Sequence, residues 1–187
     1  MSDVDAVAAR RFIEEAEREL RFLHDDFGFD GPLVGQGPFA VWVTFKGVPT
    51  ALKASFDTLD RVVEVFIVKL IDGELPAYDE TESTHYVGPR SLAAVAGGGL
   101  PAHELRLRSL SGEEFRRVLG RSAEVVREFD DVLRGDFRRF DQAIAENRVH
   151  VARLEAAYQR ELREEVAHRR RGGFSRWLRR RRGDPSS

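Results

Sequence analysis

At 187 residues, with 42% apolar and 33% charged side chains, the chain suits one domain plus an extension and is too hydrophobic to be disordered throughout. It has no cysteine, which excludes disulfides, thiolate zinc sites and cysteine nucleophiles, and no apolar run approaches the roughly 20 residues that span a bilayer. The net charge of −2 conceals an asymmetry: from His168 onward eight arginines stand against one carboxylate, a balance of +7, and the rest of the chain carries −9.

The opening "MSDVDAVAAR" is acidic and lacks the apolar core of a secretory signal, so a cytoplasmic protein is expected. Residues 3–27 read as one amphipathic helix. Phe12, Ala16, Leu20, Leu23 and Phe27 recur at spacings of four and three, Ser2 or Asp3 caps the start and Gly28 stops it. "GFDGPLVGQGP" (28–38) is rich in Gly and Pro and reads as a connector. Its G-x-G has neither the preceding strand nor the spacing of a phosphate-binding loop.

The next stretch predicts an antiparallel β-meander: "FAVWVTFK" (39–46), "PTALKASF" (49–56) and "RVVEVFIVKLI" (61–71). A two-residue Gly47-Val48 loop of type II′ would set Lys46 opposite Pro49, Trp42 opposite Lys53 and Phe39 opposite Phe56. A four-residue loop at 57–60 would then set Lys53 opposite Glu64. Side chains alternate between faces, so Phe39, Val41, Val43, Phe45, Leu52, Ala54, Phe56, Val63, Val65 and Ile67 are expected in the core. The other face holds Ala40, Trp42, Thr44, Ala51, Lys53, Ser55, Glu64 and Phe66, with Trp42, Lys53 and Glu64 in one cross-strand row.

After Asp72-Gly73 comes an acidic loop, "ELPAYDETESTHYVGP"; "SLAAVA" is a helical turn and "GGGLP" a flexible break. Ser111-Gly-Glu-Glu114 reads as a capping box. Phe115, Val118, Leu119, Ser122, Val125, Val126, Phe129, Val132 and Leu133 follow as a helical stripe. Gly135 ends or bends that helix and Asp136 caps the next, in which Phe137, Phe140, Ile144, Val151, Leu154 and Tyr158 fall at near-heptad spacing. A helix over 137–170 would be about 50 Å long against a body about 40 Å across, so it projects or breaks. The fold expected is α+β: an N-terminal helix, an antiparallel meander, then C-terminal helices with one long projecting helix. The divisions expected are a domain over 1–146, an extension of the long helix over 147–171 and a basic tail over 172–187.

Little in the sequence points to catalysis. The five histidines have no metal-binding spacing, no G-x-S-x-G occurs, and Asp25-Asp26 and Asp130-Asp131 are adjacent pairs that point to different helix faces. The expectation is a protein that is not an enzyme and uses no cofactor or metal.

Two surfaces remain. The face bearing Trp42, Lys53, Glu64 and Phe66 is an ordinary cross-strand charge pair, a face covered by the chain's own helices, or a protein-binding site. The tail gathers Arg169, Arg170, Arg171, Phe174, Arg176, Trp177, Leu178, Arg179, Arg180, Arg181 and Arg182. Phe174, Trp177 and Leu178 fall at i, i+3 and i+4, one apolar side among arginines. Such a segment suits an anionic membrane surface or nucleic acid, folds back on the acidic body, or is simply solvated. Self-pairing of the long helix into a homodimer is a further option.

Several stretches together resemble a broad, uncharacterised family of small bacterial α+β proteins. The likeness lies in "FLHDDFGFDGP", in "VWVTFKGVPTALKASFD" with "VVEVFIVKL", and in "VLRGDFRRFDQAI", over about residues 10–145. Similar proteins occur near polymorphic toxin loci, and the resemblance implies an immunity-like, toxin-binding role. It implies no catalytic residues and nothing about the chain after about residue 146.

Overall fold

The computed structural model describes residues 3–76, 84–98, 100–101, 105–149, 151–153, 156–160 and 163. The chain divides into two compact units, Met1–Glu146 and Asn147–Ser187. The first is α+β. Its elements are α1 (Asp3–Glu19), α2 (Phe22–Phe27), β1 (Asp30–Gln36), β2 (Ala40–Lys46), β3 (Thr50–Asp57), β4 (Val62–Lys69), β5 (Tyr86–Val87), α3 (Pro89–Val95), α4 (Gly112–Arg127) and α5 (Asp130–Leu133). A further helix, α6, runs through residues 138–146 of this unit.

The five strands form one antiparallel sheet in sequence order, so each pairs with its chain neighbour. Val, Phe and Ile at alternate positions of β2, β3 and β4 give that sheet one apolar face. On it Val43, Leu52, Ala54 and Ile67 are fully buried. Helices α1 and α4 pack against each other and against this face. Phe12 of α1, Phe56 of β3 and Phe115 of α4 meet with ring centroids 5.0–5.8 Å apart. Each fully buried aromatic contributes on the order of 1.5–3 kcal/mol through area alone. Two arms tie the helices at their rim: Arg116 grips both oxygens of Glu15, and Arg11 donates to the Leu110 carbonyl.

The expected single N-terminal helix is two. Leu23 donates to Leu20 at 3.0 Å, an i→i+3 bond that tightens the chain at Leu20-Arg21. Leu20 and Leu23 remain buried, and Phe22 is buried as well. Gly28 does stop α2. It sits at φ +69°, donates to His24, and lets Phe29 donate back to the Leu23 carbonyl.

Four more sequence expectations are corrected. Residues 30–36 are an edge strand, not part of a connector. Glycines and a proline hid it, and an irregularity between Asp30 and Leu33 marks where the chain joins the ladder. The β2–β3 loop is Val48-Pro49, with Gly47 donating to the Thr50 carbonyl at 2.8 Å. Pro49 has no N–H to give the ladder, so the closing pair lies one residue further out on β3. Lys46 therefore faces Ala51, Trp42 faces Ser55 and Thr44 faces Lys53. The β3–β4 loop keeps four residues but starts one later, at 58, because the Asp57 carboxylate accepts from the Leu59 and Asp60 amides and holds Asp57 in the ladder. Both slips move the pairing by two residues, so every strand residue keeps its face. Phe39, outside β2, is 56% exposed rather than in the core.

Ser111 caps α4, its hydroxyl accepting from Glu114, but the Glu114 carboxylate turns to the Arg108 amide instead of completing the box. The stripe from Phe115 to Leu133 is buried as expected, though a turn at Glu128-Phe129 divides it between α4 and α5. In Asn147–Ser187 the described residues 147–149, 151–153, 156–160 and 163 are helical. The long helix expected over 137–170 lies partly outside the described residues, and so does the whole tail from Arg169 to Arg182 with Phe174, Trp177 and Leu178.

Candidate functional site

The second face of the sheet has a covered half and an open half. Toward the β4–β5 end, Lys46, Ala51, Val68 and Tyr86 lie in one row. Ala51, Val68, Leu70 and Tyr86 form a small second core there, with Phe66 packed against it. The Tyr86 hydroxyl donates to the Pro76 carbonyl at 2.6 Å, and Phe66 meets Tyr86 edge to face at 6.0 Å. This half is closed by the chain itself through Leu70, Tyr86 and Pro76, and not by the helices expected to cover it.

The other half is three rows wide, the outermost formed by Ala40, Asp57 and Val62. One row runs Leu33, Thr44, Lys53, Phe66 and the next runs Gly35, Trp42, Ser55, Glu64. Trp42, Lys53 and Glu64 thus do not share a row, because the hairpin closes at Gly47/Thr50. The three still lie together on one face, with Lys53 diagonal to Trp42 and Phe66 directly across from Lys53. Along an antiparallel pair that diagonal is about 7–8 Å, within reach of a lysine stem.

What the diagonal builds is a cation laid on an indole. Lys53 Nζ stands 5.3 Å from the Trp42 ring centroid. On β1 the indole covers Gly35, where any Cβ would collide with the ring, and it also reaches Gly37. Only glycine at 35 allows Trp42 to lie flat across the edge strand. Partial burial lowers the Lys53 pKa below its ordinary value, because the ammonium loses water that the ring does not replace. Among the described residues no carboxylate forms an ion pair with Lys53. Trp42, Lys53, Ser55 and Phe66 are half-buried, Glu64 is exposed, and Leu33 at the edge is 55% exposed.

The glycine contact was the missed signal. Gly35 lies in the segment read as a connector, and only the pairing of β1 with β2 sets it under Trp42.

No group of three or more His, Asp or Glu among the described residues is placed to hold a metal ion, and no helix among them is long and apolar enough to cross a membrane. No protein-family model matches the chain, and neither a curated protein nor a solved structure gives a significant match.

Proposed function

We propose that the protein is a non-enzymatic protein-binding module, immunity-like in role, which meets its partner with the open half of the second sheet face. The observation that carries the reading is Lys53 on Trp42. A half-desolvated ammonium without a carboxylate carries an electrostatic cost in the free protein. A partner carboxylate placed over it turns that cost into a gain, and close charge pairs at interfaces have coupling energies of about 1.5–7 kcal/mol. Trp42, Phe66 and Leu33 supply the apolar surround that keeps water from such a pair. The partner is thus a protein presenting an acidic side chain flanked by apolar ones.

The test is to isolate a partner from the native host and measure its Kd against variants. Lys53→Ala should weaken binding at least about 30-fold, equivalent to about 2 kcal/mol. Trp42→Ala with Leu33→Ala should do the same while the melting temperature stays close to the parent's. A collapse in stability would instead mean that the chain itself needs this face closed. Unchanged affinity in all of these variants would reject the reading.

A second reading rests on the charge asymmetry: attachment to an anionic membrane surface or to nucleic acid through the arginines around Phe174, Trp177 and Leu178. Truncation at Gly172 should then abolish sedimentation with anionic vesicles or RNA at low salt. Trp177→Ser should reduce vesicle binding more than RNA binding. No change in either assay on truncation would end it.

A further inference from the structure

Three segments far apart in sequence line a cleft of about 480 Å³. They are the turn that ends α2, the tip of the β2–β3 hairpin and the end of α5. The backbone there is closely fitted. At Gly47 a Cβ would stand 2.5 Å from the Phe29 ring, and at Gly135, φ +98°, it would stand 3.0 Å from Pro49. The buried Thr50 hydroxyl donates to the Leu133 carbonyl at 2.8 Å and pins the hairpin to α5. Walls fixed this way keep the backbone of the cleft in place without a ligand.

Three charges line the cleft: Asp30, Lys46 and Arg134. The Arg134 guanidinium lies 4.9 Å over the Phe27 ring, and among the described residues it has no carboxylate partner. Lys46 pairs with Glu74 at 3.2 Å, but that carboxylate side chain is 82% exposed. Exposed pairs of this kind contribute little and exchange readily. Arginine presents a planar fork that fits a carboxylate with two hydrogen bonds. Phe27 and the 88% exposed Val48 offer apolar surface beside it.

We propose that this cleft binds a carboxylate attached to an aromatic or bulky apolar group, with Arg134 and Lys46 on the carboxylate and Phe27 and Val48 on the apolar part. Asp30 leaves the lining with one net positive charge, which balances a monoanion and leaves the second charge of a dianion uncompensated. The cleft shares no residue with the face around Trp42, Lys53 and Phe66, so the two readings stand or fall separately.

The test is an amide-resolved NMR titration of the full chain with N-acetylphenylalanine, with neutral N-acetylphenylalaninamide as control. The acid should give saturable shifts at Gly28, Gly47, Val48 and Arg134, and the amide should bind at least tenfold more weakly. Arg134→Gln should weaken the acid at least fivefold, and Arg134→Lys should weaken it less. Val48→Glu, made at the exposed tip, repeats the test by repulsion without disturbing the core. A short peptide ending in phenylalanine, free or amidated at its C-terminus, distinguishes the source. Tighter binding of the free-ended peptide than of the small acid assigns the carboxylate to a chain terminus, and equal binding assigns it to a small molecule. Equal binding of acid and amide, tighter binding of inorganic phosphate than of the acid, or unchanged affinity in folded Arg134→Gln would overturn the proposal.

Discussion

Lys53 carries a cation that water stabilises better than its surroundings do, and its lowered pKa gives the sign of the effect. The unfolded chain holds that proton more tightly, so at neutral pH the charge opposes folding, and the opposition fades as pH rises toward the ordinary lysine range. Lys53→Met keeps the stem on Trp42 and removes the charge. It should therefore leave stability unchanged or raise it slightly in urea denaturation at pH 7, and a clear loss would mean that the ammonium is paired after all. Carboxylates elsewhere show the opposite linkage. Hydrogen bonds from Arg139 hold Asp131 below its usual pKa, and those from Arg138 bring Asp136 down to about 2. Their contribution is present above the ordinary carboxylate range and is lost as pH falls through the lowered values. Asp131→Asn should thus lower the urea midpoint at pH 7, and its gap from the parent should narrow as pH drops below about 4.

Strand alternation made the core legible at the level of elements. Val43, Leu52, Ala54, Phe56, Val65 and Ile67 are buried where the period of two puts them. That survives a wrong hairpin because a slip of two preserves faces, whereas a slip of one inverts them. The rows across the sheet were not legible, since they depend on which residue closes each loop. Pro49 falls in the alternating run of β3 yet lies in the loop, and the Asp57 carboxylate that sets the next turn has no mark in the alternation. Strand β1 was hidden for a related reason: Gly31, Pro32, Gly35 and Gly37 are turn formers, and only Trp42 on the neighbouring strand gives Gly35 a reason to be in a sheet. The absence of native cysteine allows a clean check of the register. Directly opposed, non-hydrogen-bonded positions lie about 4.5 Å apart at Cα, within disulfide range, and diagonal ones lie about 7–8 Å apart. Thr44→Cys with Lys53→Cys should cross-link on mild oxidation, and Trp42→Cys with Lys53→Cys should do so far less. The reverse order would restore the register that the Gly47-Val48 loop implied.

For the whole molecule, the first unit encloses one apolar face of its sheet with α1 and α4 and closes only half of the other. The candidate face was legible as a set of residues, Trp42, Lys53, Glu64 and Phe66, because parity fixed it. Its chemistry, a lysine on an indole beside a glycine, needed the third dimension. Only three lysines occur in the chain, at 46, 53 and 69, which makes amine footprinting direct. Lys46 pairs with Glu74 in the row beside the open ones, and Lys69 stands near Asp141 and over Phe137, away from them. The decisive measurement is the acetylation rate of each lysine, by mass spectrometry, in the free protein and in the complex with its isolated partner. The account predicts that Lys53 becomes protected at least tenfold while Lys69 labels as before. Equal labelling of Lys53 in the free and bound protein would show that the partner, whatever it is, docks elsewhere.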